Sequence, residues 1–284
     1  MKDQGWAVSG TCRSLEKKKQ LEEEGLDAHV LEASEPELST LDILEDYSHL
    51  LVSIPPVRGI GDPMLQHREF LDHVLRDGNL QWLCYLSSTS VYGDCGGAWV
   101  DEDYPANPST ELARLRLCAE EGWLDMGHNL GISSLVFRLG GIYGPGRSAL
   151  DTIISKKPLS DRQKMRLSRQ YTSRVHVDDI CQALRAGINV PFSSNIYNVV
   201  DDDPAPREEV FKYAEDLVKS KFSGCFQEDN YPDQTESTIQ RVSRRDEKRV
   251  LNSRLKQELG IKLLHPSYKS GLRSIIEQID VDLG

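Results

Sequence analysis

Leu80-Gln-Trp-Leu-Cys-Tyr-Leu-Ser-Ser-Thr-Ser-Val-Tyr-Gly93 decides the fold. Its first half is an apolar run of strand length, and its second half is a cluster of hydroxyls closed by glycine. A short apolar run reads as a buried strand, and the hydroxyl cluster as the turn that leaves it. Similar runs stand on both sides. Upstream are Trp6 to Thr11, Ala28 to Leu31 and His49 to Ile54, the last closed by Pro55-Pro56; downstream are Ser133 to Leu139 and Ile196 to Val200. Helical periods separate them at Leu15 to Glu24, Phe70 to Leu75, Thr110 to Met126 and Asp178 to Ile188, and Gly25 ends the first. Strands spaced by helices predict βα units, a mainly parallel doubly wound sheet and an α/β Rossmann-like fold. In such a fold ligands bind outside the carboxyl ends of the strands, so the residues that end each strand carry the functional information.

After Asp203 the pattern changes to helices and polar loops. This predicts a dinucleotide-binding Rossmann-like domain over 1–147 and 172–203, with a small substrate lobe over 148–171 and 204–284. Lys219 to Ser243 is the least regular stretch and reads as a loop. Composition excludes several classes. The net charge is −11, with no dominant basic patch, so nucleic acid is not expected as a partner. The basic run Arg241 to Arg249 carries Asp246 and Glu247 and reads as a solvated helix face. No apolar stretch is long enough to span a bilayer, so no membrane partner is expected either. The six cysteines lack C-x-x-C spacing, which argues against a zinc site or a disulfide framework; no metal is expected. As written, the amino-terminal residues show neither a signal nor a transit peptide. The cytosol is therefore expected, with an organelle such as the plastid open if a longer N-terminus exists.

Four strand ends form an ordered series: Leu86-Ser-Ser-Thr-Ser-Val-Tyr-Gly93, Arg138-Leu-Gly-Gly-Ile-Tyr-Gly-Pro-Gly146, Arg174-Val-His-Val-Asp-Asp179 and Tyr197-Asn-Val-Val-Asp-Asp202. In this order the chain resembles the NAD-dependent epimerase/dehydratase family, the extended or atypical short-chain dehydrogenases/reductases. Leu251 to Gly260 and Tyr268 to Arg273 resemble that group's final helices. The resemblance implies a nicotinamide dinucleotide cofactor, a small carbonyl or sugar-nucleotide-like substrate, oxidoreductase or epimerase chemistry, and a homodimer.

Carried onto this chain, the family pattern places Ser88 at the active-site Ser/Thr, where its hydroxyl can bond a substrate oxygen. Ser53, Ser87, Gly140 and Gly141 fall at strand ends lining the expected cofactor cleft. Arg13 and Ser14 stand where an NAD enzyme places an acidic residue for the ribose 2′-hydroxyl. A guanidinium and a hydroxyl suit a 2′-phosphate instead, so NADP is expected over NAD.

Two departures from the pattern matter. If Trp6 begins the family's second strand, the first strand and its G-x-G-x-x-G loop are absent. The expectation is an N-terminally truncated form with weak cofactor binding or low stability and with unpaired edges on both neighbours of the missing strand. In the helix after the fourth strand, Leu112 takes the place of the catalytic tyrosine and Arg116 that of the lysine. Leucine transfers no proton, whereas Arg116 keeps a charge for the ribose or for catalysis. Three readings stay open: an enzyme with an unassigned proton donor, a non-catalytic dinucleotide-binding sensor or scaffold, and an inactive truncated form.

Overall fold

The computed structural model describes residues 4–32, 38–155, 171–191, 194–222 and 247–279. Short strands alternate with helices along the chain. The strands are β1 (Ser9–Cys12), β2 (Asp27–Val30), β3 (His49–Val52), β4 (Trp82–Ser88), β5 (Trp99–Val100), β6 (Ser133–Leu139), β7 (Gly141–Tyr143), β8 (Arg174–His176), β9 (Ser194–Val199) and β10 (Arg249–Val250). The helices are α1 (Leu15–Glu23), α2 (Arg68–Asp77), α3 (Glu111–Leu130), α4 (Ala149–Ile154), α5 (Val177–Ile188), α6 (Arg207–Lys221), α7 (Ser253–Leu259) and α8 (Tyr268–Gln278). Four strands hydrogen-bond in the order β3-β4-β6-β9, and three further pairs are β1-β2, β5-β10 and β7-β8. The β1-β2, β3-β4, β5-β10 and β7-β8 pairs are all parallel. The expected α/β Rossmann-like fold is therefore present.

Two compact units divide the chain. The first holds residues 1–87, 114–136 and 191–195, and the second holds 88–113, 137–190 and 196–284. This division differs from the sequence-based one, which followed the change of pattern after Asp203.

In the first unit, β4 and β3 pair in the register His49↔Trp82 to Val52↔Tyr85. Leu83, Cys84 and Tyr85 are fully buried. α2 turns Leu71, Val74 and Leu75 inward at helical spacing, each burial worth about 1.5–3 kcal/mol. α3 turns in Trp123 and Met126. Gly127 lies so close to Ser134 that an added Cβ would sit 2.4 Å from that side chain. β1 starts at Ser9 and is shorter than the apolar run Trp6 to Thr11 suggests; the Trp6 ring packs edge-on against His49 at 4.8 Å. Among the described residues β1 pairs only with β2, and β3 only with β4.

In the second unit, Tyr143, Leu150, Val210, Ala214, Leu272 and Ile275 meet in one apolar cluster formed by β7, α4, α6 and α8. Ser148 and Asp151 form a capping box that starts α4, and Ser267 with Ser270 starts α8 in the same way. The expected helix face at Arg241 to Arg249 is corrected at its described end, where Arg249 and Val250 form a strand beside Trp99 and Val100. Residues 241–246, and the part of the Lys219 to Ser243 loop from 223 onward, lie outside the described residues. Among the described residues no helix is long and apolar enough to cross a membrane.

The turn after β4 closes on Gly93, whose φ of +71° is a left-handed conformation. A Cβ there would lie 2.0 Å from the Asn107 carbonyl oxygen. Gly93→Ala is expected to cost at least about 2 kcal/mol, combining backbone strain with overpacking. Gly96→Ala, also at positive φ but facing open space, is expected to cost about 1 kcal/mol. Denaturant midpoints of the two variants measure the difference.

Candidate functional site

The carboxyl ends of parallel strands collect the candidate residues. Arg13 follows β1 directly, Ser53 follows β3, Ser87 and Ser88 end β4, and Gly140 follows β6. Arg13, Ser14, Ser53, Ser87 and Arg116 belong to the first unit, and Ser88, Gly140 and Gly141 to the second.

Arg13 is exposed, and among the described residues its guanidinium has no protein partner. Ser14 caps α1, its hydroxyl accepting a bond from the Lys17 N–H at 3.2 Å. Among the described residues no group accepts the Ser14 proton. Ser53 is exposed on the segment leaving β3.

Ser87 faces the other way. It is buried and donates to the carboxyl of Glu120, which is itself 1% exposed. Its bond is therefore made with α3 and not with a cleft. Arg116 lies beside the Tyr85 phenol, and its Nε is buried without a hydrogen bond. Burial pushes the Tyr85 phenol above its ordinary range, Asp62 adds to the effect, and Arg116 opposes it. Asp62 accepts from Trp123 Nε1 at 3.0 Å and from the N–H groups of Met64 and Leu65 at 2.9 and 3.1 Å. Burial raises the Asp62 carboxyl, and these bonds act against the rise.

In the second unit Ser88 caps the turn over Thr89–Tyr92, its hydroxyl accepting from the Ser90 N–H at 3.2 Å. That bond uses a lone pair, and among the described residues no group accepts the Ser88 proton. Beyond it, Tyr92 is fully buried and donates to Asn198 Oδ1 at 2.8 Å. The buried Arg138 lies 4.8 Å over the Tyr92 ring, which joins the segment after β4 to the end of β6. Burial pushes the Tyr92 phenol up to about 12, with Arg138 working against it.

Gly140 owes its small size to the protein itself. A Cβ there would meet Val200, Arg174 and Ser173 at 3.0–3.1 Å. Gly141 is exposed and has room, its nearest neighbour lying 3.6 Å from a Cβ.

His176, Asp178 and His265 bring three donor atoms within 4.8 Å of one another. Here His176 Nδ1 accepts the Asp178 N–H at 3.2 Å, so its lone pair caps α5. Asp179 accepts from the N–H groups of Leu264 and His265 at 2.6 and 3.1 Å, which fixes the loop before α8. Asp178 also lies 3.4 Å from His176 Nδ1 and 3.7 Å from His265 Nε2. A recess of about 300 Å³ lies between Gln4–Ala7 and Asp46–Ser48. Those residues precede β1 and β3, at the amino ends of the strands, away from where such sheets bind ligands.

A parallel α/β fold with hydroxyls and glycines at its strand ends defines a Rossmann-type protein of the short-chain dehydrogenase/reductase kind. Residues 67–199 match the model of the NAD dependent epimerase/dehydratase family. The fold is similar to that of a functionally unknown conserved protein from Silicibacter pomeroyi DSS, at 32% identity and TM-score 0.72, over 96% of this chain and 90% of that one. It is also similar to UDP-glucuronic acid 4-epimerase from Bacillus cereus in complex with NAD, at 18% identity and TM-score 0.65, over 92% and 85% of the two chains. A third similar fold is dTDP-glucose 4,6-dehydratase from Bacillus anthracis in complex with NAD, at 16% identity and TM-score 0.68, over 93% and 83%. No curated protein matches the chain. The chain belongs to the NAD-dependent epimerase/dehydratase family.

Sequence reasoning named Ser87 but could not see Glu120, 33 residues away. Nor could it see that the Arg138 guanidinium lies over the Tyr92 ring. Ser87→Ala is expected to cost about 0.5–1.5 kcal/mol of stability, because it removes one hydrogen bond to a buried carboxyl. It should leave the affinity for NADH and NADPH unchanged. Chemical denaturation and dinucleotide titration of the same variant check both halves.

Proposed function

We propose that the chain binds a nicotinamide dinucleotide, NADP in preference to NAD, and acts as an oxidoreductase or epimerase on a small carbonyl or sugar-nucleotide-like substrate. The observation that carries the chemistry is Ser88. Its hydroxyl is fixed by the Ser90 N–H at the carboxyl end of β4, with its own proton left to donate. A bound nicotinamide supplies hydride transfer. Ser88 donates its hydrogen bond to the substrate oxygen and orients it.

Arg13, exposed and unpartnered among the described residues, supports the preference for NADP by offering its guanidinium to the 2′-phosphate, with Ser14 beside it. Ser53 and Gly141, both exposed at strand ends, are the further cofactor contacts. The similar UDP-glucuronic acid 4-epimerase and dTDP-glucose 4,6-dehydratase are in complex with NAD; the choice of NADP rests on Arg13 and Ser14 alone.

A second reading, a dinucleotide-binding sensor or scaffold, is favoured by one specific observation. The resemblance puts Leu112, which has no proton to transfer, where family enzymes carry their tyrosine, and burial raises the Tyr85 and Tyr92 phenols.

Arg13→Ala is expected to weaken NADPH by about tenfold or more and NADH by less than about threefold. Isothermal titration of both cofactors checks this, and equal losses would overturn the NADP preference. Ser88→Ala is expected to slow carbonyl-dependent NADPH oxidation by about a hundredfold without changing NADPH affinity. If wild type binds NADPH and consumes none across a panel of aldehydes, ketones and sugar nucleotides, the sensor reading replaces the enzyme.

A further inference from the structure

The carboxyl-terminal strand β10 is stitched onto the segment that leaves the Ser88–Tyr92 turn. Lys248 Nζ donates to the Gly93 carbonyl at 2.8 Å, and the N–H groups of Cys95 and Gly97 donate to the Glu247 carbonyl at 3.0 Å each. The Arg249 N–H donates to the Ala98 carbonyl at 2.9 Å, and that of Leu251 to Val100 at 2.8 Å. This brings Arg249 beside Trp99. Its guanidinium carbon lies 5.0 Å over the Trp99 ring and 4.7 Å over the Tyr171 ring. Its Nε donates to the Gly97 carbonyl at 2.8 Å. A Cβ on Gly97 would stand 3.1 Å from the Tyr171 ring, so glycine leaves that ring room to close on the arginine.

The two terminal nitrogens of Arg249 remain. Among the described residues neither has a hydrogen bond or an ion pair. Arg254 differs, since it is paired with Asp103 at 2.6 Å and with Glu102 and Glu258. Trp99 keeps 46% of its surface exposed. A guanidinium held by aromatic stacking and anchored through Nε has already lost its rotamer freedom, and it presents a planar pair of donors that matches two oxygens of one anion. Backbone pairing and the Nε bond already fasten the strand, so the open fork is more than a fastening.

We propose that Arg249 is the oxyanion-binding residue of the substrate site, receiving a phosphate or carboxylate oxygen pair on its terminal nitrogens between Trp99 and Tyr171. This rests on the reading that the chain takes a small substrate at the carboxyl end of β4.

The test titrates UDP and D-glucuronate, separately, into the full chain and into Arg249→Gln and Arg249→Lys. Arg249→Gln is expected to weaken one probe by about tenfold or more. Arg249→Lys, which keeps the charge and loses the fork, is expected to weaken it by about threefold or more. Loss of UDP identifies phosphate as the anion, and loss of glucuronate identifies carboxylate. Unchanged affinity in Arg249→Gln overturns the proposal, as does wild type that binds neither probe. A fastening role alone would lower the melting temperature of Arg249→Gln and leave both affinities in place.

NADH and NADPH titrated into the same variants separate this proposal from the cofactor reading. Arg249→Gln should bind both as wild type does. If wild type binds neither dinucleotide yet loses UDP with Arg249→Gln, the cofactor reading fails and the anion site stands.

Discussion

Parallel pairing of strands is the constraint on which the rest depends. Each pair whose register is known, from β1-β2 to β7-β8, runs in one direction. Parallel neighbours cannot be joined by a tight hairpin, so the chain must travel back before the next strand begins. Helices do most of that travelling, and turns rich in serine and glycine gather at the carboxyl ends. Arg13, Ser53, Ser88 and Gly140 stand at those ends for this topological reason before any chemistry is considered.

The polar groups within this frame are held in different ways. In the first unit Ser87 is committed to Glu120, and Asp62 to Trp123 and the N–H groups of Met64 and Leu65. Such a set holds its geometry when its bonds are made, and it is costly to leave half made. In the second unit the hydroxyl of Ser88 and the terminal nitrogens of Arg249 are positioned but uncommitted. Committed groups like those of the first unit build the fold.

Much of the fold was legible in the sequence. Ser133 to Leu139 forms a strand with the bounds its apolar run suggests, and Gly25 ends α1 as read. What escaped reading came from partners far along the chain. Trp6 reads as strand, but β1 starts at Ser9 and the Trp6 ring packs against His49. The helical period from Asp178 does not announce its cap, which is His176, whose ring nitrogen accepts the Asp178 N–H. Arg249 reads as part of a charged helix face, and only pairing with Trp99 makes it a strand. The site was legible as a list of strand ends. Which hydroxyls turn inward was not, because strand period alone does not say that Ser87 meets a carboxyl while Ser88 keeps its proton.

The stitching of Glu247 and Lys248 onto Gly93 to Gly97 also bears on how the molecule comes into being. These bonds join residues as much as 155 apart. A ribosome delivers the amino-terminal side of that junction long before its other half emerges. Contacts of such long sequence separation form late, since the intervening chain must lose its freedom first. The rim around Trp99 is therefore assembled only after Arg249 has left the ribosome, and a shorter nascent chain lacks it however well its earlier strands have paired.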